Sequence, residues 1–178
     1  IDYFCQEYQR GRTPHPCIAC NDMIKFSFLA QRARLLGADY VATGHYAIIE
    51  SREDGYHLLK GLDPAKDQSY VLYGMGQKEL AHTLLPVGSY SKNEIRHMAL
   101  KAGFPNANKP DSQDICFIPS GDYRKFLAKQ IETKEGDIVD TSGQVLGRHR
   151  GIEFYTVGQR RGLGLATSEP MFVVGIDT

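Results

Sequence analysis

With 178 residues, 42% of them hydrophobic and 24% charged, the chain has an ordinary globular composition and is long enough to bury one large core or two small ones. Its 21 basic residues balance 21 acidic ones, so no global positive field points to nucleic acid, although a local basic site stays open. No apolar run could cross a bilayer, no signal-peptide pattern opens the sequence, and four cysteines are too few and too uneven for a secreted disulfide framework, which leaves free or redox-active thiols in a reducing, cytoplasmic compartment.

Residues 3–10 are aromatic and polar and predict a weak helix. The stretch GRTPHPCIACNDMIKF (11–26) follows. Pro14 and Pro16 fix φ and remove two backbone donors, which keeps Thr13 and His15 extended or turned. Cys17 and Cys20 then fall where a loop meets a helix, with Asn21 or Asp22 as the expected N-cap. A thiol at a helix N-terminus sees the positive end of the helix dipole, which favours its thiolate. Ile24, Phe28, Ala30 and Leu35 sit at near-helical spacing and carry the helix to Gly37. Tyr40–Ala42 predicts a short strand running into Thr43-Gly44-His45, and Ala47–Glu50 continues in strand. Ser51–Gly55 is a polar turn, and Tyr56–Lys60 is the hairpin partner. A strand ending in glycine suits an open α/β sheet, which places ligands at the carboxyl ends of its strands.

GLDPAKDQSYVLY (61–73) predicts a polar loop and then a strand over Tyr70–Tyr73. Ser91 and Glu94 form a capping box ahead of the apolar stripe Ile95, Met98, Ala99 and Ala102, with Gly103 as the stop. The irregular run KPDSQD leads into a short strand over Asp114–Phe117 that carries Cys116. Ser120 is the expected cap of a short helix holding Tyr123, Phe126 and Leu127. Two strands, Gly136–Asp140 and Gln144–His149, are joined by a turn at Thr141–Gly143. Glycines, aromatics and arginines crowd the segment from Phe154 to Leu165. MFVVGIDT (171–178) predicts a closing strand without a partner, and the chain opens without methionine, so a piece of a longer protein is expected.

The thiols admit three readings on chemistry alone. Cys17 and Cys20 could be half of a zinc site, though no second pair supplies the other ligands. They could be a thioredoxin-type redox pair, though the prolines fit that motif poorly. Or one of them pairs transiently with Cys116 across a cleft, one thiol delivering sulfur and the other closing a disulfide.

Five stretches, GRTPHPCIACNDMIKF, LGADYVATGHYA, GLDPAKDQSYVLY, KPDSQDICFIPSGDYRKFL and FYTVGQRRGLGL, together closely resemble the tRNA 2-thiouridylases (the MnmA/TrmU family) over essentially the whole chain. That resemblance implies an α/β fold. Residues 1–118 are the last part of an ATP-pyrophosphatase (adenine nucleotide alpha hydrolase-like) domain, 119–168 a small α+β or β central domain, and 169–178 the first strand of a C-terminal β-barrel.

It also implies a function, namely ATP-dependent 2-thiolation of the wobble uridine (position 34) of tRNA. The uridine O2 is adenylated, Cys116 delivers persulfide sulfur, and Cys20 forms a disulfide with Cys116. His15, Pro16 and Cys17 match the target-base segment. Many members carry aspartate in place of Cys17, which puts an acid–base role there in doubt. Gly44 matches an ATP contact, His45 a tRNA contact, and Lys66, Asp67 and Gln68 a tRNA-binding loop. The implied cofactors are ATP with magnesium and sulfur supplied as a protein persulfide; no metal ligand is assigned. The implied partners are tRNA and a sulfur-relay or cysteine desulfurase protein, with no membrane.

One departure stands out. The family's phosphate-cradling Ser-Gly-Gly-Val-Asp-Ser run is not among these residues, so the chain by itself is expected to be inactive. Two further readings stay open: a non-catalytic tRNA-binding or sulfur-relay remnant, and ATP-pyrophosphatase chemistry of the argininosuccinate-synthetase type, against which Cys20 and Cys116 argue.

Overall fold

The computed structural model describes residues 1–110, 115–118, 120–167 and 169–178. These form two compact units, one built from residues 1–15 with those from 115 onward, the other from residues 16–110. Most of the run KPDSQD lies outside the described residues, as does Asp114 of the strand expected there.

In the first unit, helix α1 (Asp2–Gln9) places Asp2 in its first turn, where a carboxylate suits the helix dipole. Phe4, Cys5 and Tyr8 share the buried face and pack with Ile118 and Leu127. Phe4 meets Phe117 edge-on at 5.3 Å between ring centroids, and Tyr8 stacks on Tyr123 at 5.5 Å. Glu7 is buried on the same helix and takes ion pairs from Arg10 at 3.1 Å and Arg12 at 3.2 Å, which tie down the exit from the helix.

Helix α6 (Tyr123–Gln130) starts two residues later than a Ser120 cap would have it. The Asp122 carboxylate accepts the Lys125 N–H at 3.1 Å, while Ser120 Oγ accepts the Asp122 N–H at 3.4 Å. The carboxylate outcompetes the hydroxyl because it caps and also meets the helix dipole. Strands β5 (Gly136–Val139) and β6 (Val145–His149) pair antiparallel as expected, and Asp140 builds their turn by accepting from Ser142 and Gln144. A register shift at Ile138/Val139 leaves Leu146 unopposed. Residues 171–178 pair in no ladder. Among the described residues the backbone bonds of this segment are those of Val173, which accepts from Gly158 N–H at 2.7 Å and donates to the Gln159 carbonyl at 3.0 Å, so the expected closing strand is a tethered segment without a ladder.

In the second unit the helix begins earlier than expected, at Pro16. It runs as α2 (Pro16–Cys20), a π-helical stretch (Asn21–Leu29) and α3 (Ala30–Leu35). Proline is favoured at a first helical position, where its missing N–H costs nothing, so Pro16 opens the helix. Asn21 is therefore an interior residue and not the cap. The wide π winding also defeats the 3.6-residue reading: Phe26 is buried, while Ile24, Phe28 and Leu35 of the expected stripe are exposed.

Strand β1 (Val41–Ala42) pairs parallel with β4 (Thr83–Leu84). Between them lie the hairpin β2 (Ala47–Arg52) and β3 (Gly55–Lys60), a 3₁₀ turn (Ser69–Leu72) and α4 (Gln77–Ala81). The strand expected at Tyr70–Tyr73 is this 3₁₀ turn. Consecutive Val71 and Leu72 are both buried against Phe26 and Ala47, and a turn can place neighbouring side chains on one side where a half-exposed strand cannot. Helix α5 (Lys92–Lys101) has the expected reciprocal cap, with Ser91 Oγ accepting the Glu94 N–H and Glu94 accepting the Ser91 N–H at 2.7 Å. Gly103 closes it at φ 75°. Among the described residues no helix is long and apolar enough to cross a membrane.

Candidate active site

Each unit presents one of the two thiols of interest. In the second unit, Cys17 and Cys20 lie one helical turn apart on α2, Cys17 exposed and Cys20 half-buried. Pro16 is half-buried at the head of that helix. Directly after Cys20, Asn21 is 1% exposed and its Nδ2 donates to the Val71 carbonyl at 2.8 Å. That bond ties the helix of Cys20 to the 3₁₀ turn that follows Lys66, Asp67 and Gln68. Asn21 Oδ1 is buried and has no partner among the described residues. Sequence reading singles out Asn21 only as a cap. The available signal was that asparagine is unfavourable inside a helix and is kept there for its side-chain bonds.

The residues after β1 form a second feature beside that helix. Lys25 and Leu29 of the π stretch, the segment Val41–His45 and Gln68 line a cleft of about 440 Å³ at the carboxyl end of β1. This is where an open parallel sheet binds ligands. A Cβ built on Gly44 would meet no atom within 4 Å, so the backbone there is open to close approach. His45 is 8% exposed, its Nδ1 is 2.8 Å from Thr43 Oγ1, and its ring lies beside Phe26. Burial, with the Lys25 ammonium adding to it, pushes its pKa down to about 4, so the ring is neutral at physiological pH. Sequence reading passes over Lys25 and Thr43.

The loop 66–68 uses much of its polarity internally. Asp67 accepts the Gly61 N–H at 2.8 Å and the Ser69 hydroxyl at 2.8 Å. Burial works against its ionisation, but these donors and Lys60 outweigh it and hold the carboxyl below the usual range. Gln68 accepts the Tyr46 N–H at 3.1 Å through its side chain and donates to the Tyr46 carbonyl at 2.8 Å through its backbone. Lys66 is half-buried, its N–H bonded to the Asp63 carbonyl at 3.0 Å.

In the first unit, Cys116 is exposed on a turn closed by the Ile118 N–H on the Ile115 carbonyl at 2.8 Å, where a strand was expected. Ile115, Phe117 and Ile118 all pack into the aromatic core around Phe4. Anchors on both sides leave Cys116 as the tip. Cys5, in contrast, is buried, and burial raises its thiol pKa. His15 is exposed at the end of the segment leaving α1. No group of three metal-ligating side chains is found among the described residues.

Two family models match the chain. Residues 1–120 match the tRNA methyl transferase HUP domain, and residues 124–178 match the tRNA methyl transferase PRC-barrel domain. The chain belongs to this family. Its architecture is accordingly the α/β type, a HUP domain of the ATP-pyrophosphatase kind followed by a small barrel-type domain. Among the relatives, a tRNA-specific 2-thiouridylase MnmA of Moorella thermoacetica is 53% identical over 181 residues, covering 99% of this chain and 51% of that protein. Proteins of the same name from Chloroflexus aurantiacus and Syntrophomonas wolfei are 55% and 50% identical over 99% of the chain, covering 50% and 53% of those proteins. The chain spans about half the length of the curated relatives it matches.

Proposed function

We propose that the protein is part of an ATP-dependent tRNA 2-thiouridylase acting on the wobble uridine in the cytoplasm. The observation that supports this is the identity of 50–55% along 99% of the chain to proteins named tRNA-specific 2-thiouridylases. The family models are worded as methyl transferases, but the relatives' name describes sulfur transfer, and an exposed Cys116 on an anchored turn is the group sulfur transfer needs. We read residues 1–118 as the end of the ATP-pyrophosphatase domain, 119–168 as the central domain and 169–178 as the opening of the barrel.

The cleft at Gly44 fits part of a nucleotide: it offers an open backbone, the Lys25 ammonium, and Thr43 and Gln68 as polar neighbours. ATP, with magnesium, supplies the adenylyl group that turns the uridine O2 into a leaving group. The outer sulfur of a persulfide on Cys116, loaded by a sulfur-relay or desulfurase protein, bonds to C2 and displaces that oxygen. The Cys20 thiolate then attacks the Cys116 Sγ. The S–S bond breaks toward the base, leaving 2-thiouridine and a Cys20–Cys116 disulfide that an external dithiol reduces. His15, Pro16, Cys17 and Lys66 are the residues we assign to the target base and its tRNA. Neutral His45 contributes a hydrogen bond and no charge, and Asp67 and Gln68 shape the loop that carries Lys66.

The test is thiolation of an unmodified tRNA transcript by the full-length enzyme with ATP and a persulfide donor. Cys20→Ser and Cys116→Ser are expected to abolish 2-thiouridine, while Cys5→Ser and Cys17→Ser keep it. Full activity in either of the first pair refutes the two-thiol scheme.

A further inference from the structure

One cleft of the first unit concentrates positive charge in a way the neutral whole conceals. Arg124 and Lys125 on the first turn of α6, and Arg148 and Arg150 at the end of β6, line one cleft of about 620 Å³. Asp122 is the only carboxylate among its described lining residues, and it is already engaged by Lys125 at 3.3 Å and by its capping bond. All four cations are exposed.

The strand geometry explains their convergence. Arg148 and Arg150 are two apart at the end of β6, while the unopposed Leu146 joins His149 in lining a neighbouring apolar pocket that shares Tyr155 and Leu163 with this cleft. Arg148 also meets Asp137 across the hairpin at 3.7 Å, an exposed pair that leaves most of its guanidinium open. Phe154 and Tyr155, both half-buried, bring ring surface into the basic cleft. Its rim is the glycine loop Gly162–Gly164, and a Cβ on Gly162 would lie 3.8 Å from the Arg124 guanidinium. Arg160 and Arg161 enter the adjoining cleft, which shares that loop.

We propose that this groove binds the RNA sugar–phosphate backbone away from the reacting base. The inference rests on the tRNA reading above. Arg148 and Arg150 stand about 7 Å apart along the strand, a spacing suited to successive backbone positions. Guanidinium groups pair with phosphates bidentately, and aromatic rings among them accept a ribose or base face. A merely solvated basic face has no need of a concave floor or of rings within it. The contacts are to backbone, so they add affinity and register without sequence choice.

The experiment measures affinity of the full-length enzyme for an unmodified tRNA transcript across a salt series, beside the thiolation assay. Arg148→Gln/Arg150→Gln is compared with wild type and with Arg32→Gln/Arg34→Gln on α3. The groove variant is expected to lower the magnitude of the log–log salt slope by about 1.4–1.8, which extrapolated from 1 M salt is a loss of roughly 14- to 30-fold in affinity at 0.15 M. Arg124→Gln/Lys125→Gln, on a different element, gives the same direction if the first variant misfolds. Unchanged affinity and slope in both groove variants, with wild-type thiolation intact, overturn the groove alone. The same holds if only binding of the sulfur donor weakens, which would assign the groove to a protein. A wild-type enzyme that neither binds nor thiolates tRNA refutes the functional reading and the groove with it.

Discussion

Asn21 is the residue on which the placement of Cys20 is most directly tested. Replacing it by alanine removes the donor to Val71 and strands a carbonyl on a residue that is 5% exposed. A buried acceptor left unpaired costs about 1–3 kcal/mol. Removing Oδ1, already unpartnered, returns part of that, so a net loss of about 1–2 kcal/mol is expected. For a chain of this size that is roughly 2–8 °C in Tm, read by thermal or urea unfolding.

Asn21→Asp sharpens the test, since it sets a carboxylate against a carbonyl oxygen in a nearly dry site. Its penalty is expected to be at least about 3 kcal/mol at pH 7. It should shrink as pH falls, because burial raises the folded-state pKa of that aspartate. The native state then holds the proton where the unfolded state releases it, and stability declines as pH rises through that window. A change under about 0.5 kcal/mol in Asn21→Ala, or an aspartate penalty independent of pH, would refute the reasoning.

The remaining predictions use the same two units. His45 is neutral when folded, with a pKa near 4, so the chain loses stability as pH falls from about 6.5 toward 4 while the unfolded ring takes up a proton; His45→Gln should flatten that slope in pH-dependent melts. Alkylation followed by mass mapping should label Cys17 and Cys116 first, Cys20 more slowly and Cys5 only on unfolding; early labelling of Cys5 would contradict its place in the core.

Local chemistry was legible where one short signal decides the outcome. The Ser91–Glu94 box, the Gly103 stop and both hairpins are each set by a few neighbouring residues, and each stands as read. Misreadings arose where two local rules compete. Pro16 carries both a turn signal and a helix-start signal, and the structure obeys the second. The run SYVL looks like a strand by composition, yet Val71 and Leu72 are buried together by Phe26, which is distant in sequence. Ser120 and Asp122 both cap helices well, and the charge on Asp122 decides. The candidate thiols were visible as residue types, but the anchoring of Cys116 between Ile115 and Phe117, and the Asn21 tie beside Cys20, come from tertiary packing that no window contains. The meeting of Arg124 with Arg148 is equally invisible, because it depends on where α6 and β6 come to rest.

The division of the first unit also sets an order of events during synthesis. Phe4 and Tyr8 are made about 110 residues ahead of Ile118 and Leu127, which bury them. At 5–20 residues per second, the apolar face of α1 waits roughly 5–20 s for its partners. Residues 16–110 are continuous and meet no such delay, so they can close their own core around Phe26 and Leu72 in the interval. Until residue 118 is made, the apolar face of α1 therefore lacks the partners that bury it in the folded unit. A slow codon run before residue 118 would lengthen that interval.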